Sequence, residues 1–86
     1  MEDIPHILVV DDDNRLRELL RKFLTENDFR VTSSANAAEA RNILRSLKFE
    51  LLVLDIMMPG ESGLELTSVL RETSRVPILL LTAMGE

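Results

Sequence analysis

Three short apolar runs constrain the fold of this chain more than any other feature. Ile7 to Val10, Leu51 to Leu54 and Ile78 to Leu81 are apolar at every position and too short to be buried helices. A strand with one wet face alternates, whereas a continuously apolar strand is covered on both faces, as in a parallel sheet. Arg30 to Ser34 alternates and is more polar, so it belongs at an edge.

Between the runs lie helical patterns. Leu16, Leu19, Leu20, Phe23 and Leu24 follow the i, i+3, i+4, i+7, i+8 spacing, with Arg15, Arg17, Glu18, Arg21 and Lys22 on the remaining surface. Ala40, Ile43, Leu44 and Leu47 repeat the spacing behind Asn36 and Glu39, which stand at capping-box distance. Leu66, Val69 and Leu70 mark a third helix, opened by Ser62 and Glu65 and closed before Pro77. The predicted elements of a single domain, 1–86, are strands 7–10, 30–34, 51–55 and 77–82 and helices 14–26, 37–47 and 63–73. This is an α/β, doubly wound parallel sheet. In the flavodoxin-like order 2-1-3-4, right-handed crossovers bring all strand C-termini to one edge. The winding reverses between the first and third strands, where such folds bind ligands.

Composition removes whole classes of function. A chain of 86 residues buries only about 60 to 65% of its unfolded surface, so the core is marginal. Without cysteine there is no disulfide, thiolate metal site or thiol redox chemistry. Met1 to His6 lacks the pattern of a signal peptide, and no run approaches the roughly 20 apolar residues of a membrane span. A cytoplasmic location is expected. Fifteen acids against ten bases, a net charge of −5, argue against nucleic-acid binding by this segment.

The acids are not scattered. Asp11, Asp12 and Asp13 follow the first strand, Asp55 ends the third, and Thr82 ends the fourth. Asp13 has an ordinary explanation as the N-cap of the first helix. Singly, each of the others reads as a turn residue, but the topology gathers them. Clustered carboxylates raise one another's pKa unless a cation is bound. The nearest bases, Arg15 and Arg17, read equally well as solvated surface. Hard oxygen ligands without His or Cys suit Mg²⁺, which points to phosphoryl chemistry with a carboxylate as nucleophile.

Ile-Leu-Val-Val-Asp-Asp-Asp (7–13), Leu-Val-Leu-Asp-Ile-Met-Met-Pro-Gly-Glu-Ser-Gly (52–63) and Leu-Leu-Thr-Ala (80–83) together resemble the receiver domain of two-component response regulators, a CheY-like fold. The wording is closest to the OmpR/PhoB subfamily, whose receivers precede a winged-helix DNA-binding domain. The resemblance implies that Asp55 accepts a phosphoryl group from a sensor histidine kinase. Asp11, Asp12, Asp55 and the backbone carbonyl of Met57 would hold Mg²⁺. Thr82 would contact the phosphoryl group, Ala83 would leave it room, and Pro59 and Gly63 would shape the intervening loop. By the same resemblance, Met57 and Met84 would stand where receivers tune phosphate lifetime, and neither can orient a water by hydrogen bonding, so slow self-hydrolysis is expected. The first helix would dock on the kinase through Asn14, Arg15 and Glu18.

The family also carries a lysine on a fifth strand, within a final helix-strand-helix part that these 86 residues do not match. The lysines here, Lys22 and Lys48, stand elsewhere. Phosphorylation of this chain alone is therefore expected to be poor, and DNA binding to belong to a C-terminal domain outside it. The Ile78 to Leu81 strand is expected to expose an edge open to self-association, and the first helix to lack a neighbour. Two rivals remain. One is a Mg²⁺-dependent phosphatase using Asp11 and Asp13 as an Asp-x-Asp nucleophile pair; the other is an unphosphorylated interaction domain. His6 has no partner suggested by spacing, and Phe23, Phe29 and Phe49 are expected to close the core.

Overall fold

The structure, a computed structural model, describes residues 4–82, so Ala83 and Met84 lie outside the described residues. The elements are β1 (His6–Val10), α1 (Asn14–Glu26), β2 (Arg30–Ser34), α2 (Ala37–Ser46), β3 (Leu51–Asp55), α3 (Gly63–Leu70) and β4 (Ile78–Leu81). All strand pairs are parallel, in the order β2-β1-β3-β4. Among the described residues no helix is long and apolar enough to cross a membrane.

Alternation within the apolar runs sends successive side chains to opposite faces of the sheet. Leu8, Val10, Leu52 and Leu54 pack with Ala37, Ala40, Phe49, Met58 and Leu66 on the side of α2 and α3. Ile7, Val9 and Val53 pack with Leu20, Leu24, Phe29 and Val31 on the side of α1. Every residue of β1 is buried, as its central place requires.

β4 departs from the expected double coverage. Leu79 is 54% exposed, because it lies on the α1 side of the sheet while α1 packs over β1 and β2. For the same reason α1 buries less than its pattern suggests. Leu20 and Leu24 reach the core, whereas Leu16, Leu19 and Phe23 remain exposed, so Phe23 does not close the core as Phe29 and Phe49 do.

The helix ends follow local chemistry. Asp13 caps α1 by accepting from the Arg15 and Leu16 amides at 2.9 and 3.2 Å. At the other end, the Phe29 amide donates to the Leu24 carbonyl and Asp28 to Thr25, with Asp28 at φ 71°. This closure satisfies terminal carbonyls and packs Phe29 near Leu24. Ser62 and Glu65 form a reciprocal capping box on α3, while Glu39 reaches one residue further back, to the Ala35 amide. α3 ends at Leu70 rather than 73, where three-residue hydrogen bonds at Glu72 and Thr73 tighten the chain into turns. Pro77 precedes β4 without an amide to donate.

His6 has partners that spacing concealed, because they come from β2 and from the entry to β3. Its Nε2 lies 2.7 Å from Thr32 Oγ1, and its ring tilts over Phe49 with centroids 4.4 Å apart. Burial, helped by Arg30 and opposed by Glu50, holds its pKa below the usual 6.5. The fold therefore favours the neutral ring. Its contribution is fully present above pH 6.5 and is lost as pH falls through the lower folded value. Urea midpoints measured across this window should decline for the wild type, and His6→Gln should lack that part of the decline.

Candidate functional site

Strand register builds the site. Val10 pairs with Leu54, so Asp11 comes level with Asp55, and Asp55 in turn pairs with Leu81, one residue before Thr82. The ladder stays closed beyond the strand ends, with the Asp11 amide donating to Ser34 at 3.2 Å and Ile56 to Leu81 at 2.9 Å. Asp11 and Asp55 are only 2% and 8% exposed, whereas Asp12 and Thr82 face solvent.

One carboxylate oxygen each from Asp11, Asp12 and Asp55 lies within 4.8 Å of the others. Asp13 does not join them, since its carboxylate is committed to the α1 cap. Asp11 Oδ1 accepts from the Asp13 amide at 2.8 Å, and Asp55 Oδ1 accepts from the Met57 amide at 3.1 Å. Burial pushes the pKa of Asp55 up; the Met57 amide opposes this, and the neighbouring Asp11 and Asp12 reinforce it. Among the described residues no Lys or Arg pairs with these carboxylates. Buried hard oxygens with one exposed member form a donor set that fits Mg²⁺.

The loop after Asp55 is shaped by close packing. A Cβ on Gly63 would stand 2.3 Å from the Asp55 carbonyl oxygen, so only glycine lets α3 start against the backbone of the acidic residue. Gly60 turns the loop at φ 77°. Arg41 on α2 pairs with Glu61 in this loop. The Met57 side chain is 63% exposed and offers no hydrogen bond beyond its backbone.

Arg17 was the residue least visible from sequence. Its guanidinium folds back to the Asp11 carbonyl oxygen at 2.6 Å and to Asn14 Oδ1, instead of lying free in solvent. A reach of six residues across a helix start follows no helical spacing rule. Elsewhere on α1, Asn14, Arg15 and Glu18 line an open cavity of about 420 Å³ with Leu19 and Lys22.

A parallel 2-1-3-4 sheet with carboxylates converging at its C-terminal edge is the arrangement of a receiver. The chain belongs to the response regulator receiver domain family, whose model matches residues 7–86. It is 60% identical over 82 residues to protein PetR of Rhodobacter capsulatus, covering 95% of this chain and 35% of PetR. It is 41% identical over 80 residues to the transcriptional regulatory protein ResD of Bacillus subtilis, covering 93% of this chain and 33% of ResD. The chain thus spans about a third of the length of these relatives. Among solved structures it resembles the response regulator TrrA from Thermotoga maritima in complex with Mg²⁺-BeF, with a TM-score of 0.89 and 40% identity over 95% of this chain and 72% of that one. TrrA is also known in complex with the histidine kinase ThkA, where the match has a TM-score of 0.87 and 39% identity, covering 96% of this chain and 72% of that one.

The raised pKa of Asp55 carries a consequence for stability. The fold favours its protonated form, so the contribution is fully present below the ordinary 3.8 and is lost as pH rises through the folded value. Without divalent cations, Asp55→Asn should stabilise the fold at pH 7, because it removes a buried carboxylate that the fold disfavours in its charged form. The gain should vanish near pH 3. Chemical denaturation at the two pH values measures the difference.

Proposed function

We propose that this receiver takes a phosphoryl group from a sensor histidine kinase onto Asp55, in the presence of Mg²⁺, and so controls a transcriptional output carried by a longer protein. The observation that supports it most is the trio of carboxylates, with Asp55 buried at the strand end and held by the Met57 amide. A carboxylate oxygen of Asp55 attacks phosphorus, the phosphorus–nitrogen bond of the phosphohistidine breaks, and its electron pair leaves with the imidazole. Burial leaves the carboxylate poorly hydrated, and the Met57 amide donates to one of its oxygens. Asp11, Asp12, Asp55 and the Met57 carbonyl would hold Mg²⁺, which when bound supplies positive charge for an anionic donor. The Thr82 hydroxyl would donate to a phosphoryl oxygen, and Ala83 would leave that group room.

The cavity around Asn14, Arg15 and Glu18 would receive the kinase, a reading supported by the TrrA complex with ThkA. A DNA-binding output would belong to a longer protein of which this chain is a part, a reading supported by the description of ResD as a transcriptional regulatory protein. Such a regulator works in the cytoplasm. The phosphatase alternative is weakened by Asp13, whose carboxylate caps α1 rather than facing Asp11's partners.

Intact mass after incubation with Mg²⁺ and a small acyl phosphate tests this reading. Wild type should gain one phosphoryl group, and Asp55→Asn should gain none. With Met57 unable to orient a water, the group should be lost over hours rather than seconds. Equal labelling of both chains, or phosphomonoester turnover dependent on Asp11, would contradict it.

A further inference from the structure

We propose that Arg17 is a positioning residue for cation binding by the acidic turn, an inference that rests on the Mg²⁺ reading above. Asp11 is gripped from three directions. Its amide donates to Ser34 of β2 at 3.2 Å, its Oδ1 accepts from the Asp13 amide at 2.8 Å, and its carbonyl oxygen accepts from the Arg17 guanidinium at 2.6 Å. The first two bonds place Asp11 itself. The third acts on the next peptide plane, because the Asp11 carbonyl belongs to the bond that leads to Asp12. Arg17 thereby sets the direction in which Asp12 leaves the sheet, and Asp12 is the exposed member of the trio.

The guanidinium suits this task. It spans the Asp11 carbonyl and Asn14 Oδ1 with separate nitrogens, Nη1 and Nη2, so the turn and the first turn of α1 are tied by one planar fork. It binds a carbonyl and, among the described residues, forms no ion pair with the three carboxylates, whose oxygens stay gathered within 4.8 Å of one another. Outer groups that orient metal ligands typically alter affinity about 10-fold to 100-fold when removed.

Charge and geometry here predict opposite signs, which makes the proposal decidable. If Arg17 acted only as a nearby positive charge, its removal would tighten Mg²⁺ binding. As an orienting group, its removal weakens it. Mg²⁺ dissociation constants, read from the backbone amide resonances of Asp11 and Asp12, should rise about tenfold or more in Arg17→Met. Arg17→Lys keeps the charge and one donor, and should recover part of the loss. Urea midpoints without Mg²⁺ should change little in either variant. Unchanged or tighter Mg²⁺ binding by Arg17→Met overturns the proposal, as does a loss matched by an equal collapse of metal-free stability. If Arg17→Met does not fold, Arg17→Lys decides: an affinity equal to that of the wild type overturns the proposal, and a weaker one supports it. A wild type that binds no Mg²⁺, or binds it equally well as Asp12→Asn, overturns the underlying metal reading and this inference with it.

Discussion

The parallel pairing of β1 with β3 is the constraint on which the rest depends. Val10 against Leu54 puts Asp11 and Asp55 at one level, at the edge where the winding of the sheet reverses. A slip of one residue would send every buried side chain of β1 to the wrong face. The apolar residues Leu8, Val10, Leu52 and Leu54 therefore do more than fill a core. Their register holds two carboxylates together that would separate in any flexible chain.

That arrangement is costly to the fold. Buried, neighbouring carboxylates resist ionisation, and Asp55 responds by holding its proton more tightly than an exposed aspartate. The protein relieves part of the strain locally through the Met57 and Asp13 amides, which accept no charge but stabilise carboxylate oxygens. Gly63 contributes by letting α3 begin against the Asp55 backbone, so the residue is fixed on both its strand and its loop side. A site poised in this way gains most from an added cation or a phosphoryl group, since either changes the charge balance of the whole cluster.

Much of this was legible from residues alone. Continuous apolar runs gave the buried strands, the polar Arg30 to Ser34 run gave the edge, and the Ser62 and Glu65 pair marked the start of α3. The acidic residues at successive strand ends located the site because strand C-termini share one edge. What escaped was whatever depends on neighbours distant in sequence. Leu79 and Phe23 look like core residues until α1 is seen to lie two strands away from β4. His6 finds Thr32 and Phe49 only through the sheet, and Arg17 reaches Asp11 by a path that no helical periodicity encodes.

Asp11, Asp12 and Asp55 behave as one electrostatic unit that awaits positive charge. Carbon-13 NMR titration of the Asp55 carboxyl group, with and without Mg²⁺, tests it most directly. The midpoint should lie above the ordinary 3.8 without metal and fall clearly when Mg²⁺ is added. An ordinary midpoint that ignores Mg²⁺ would contradict it.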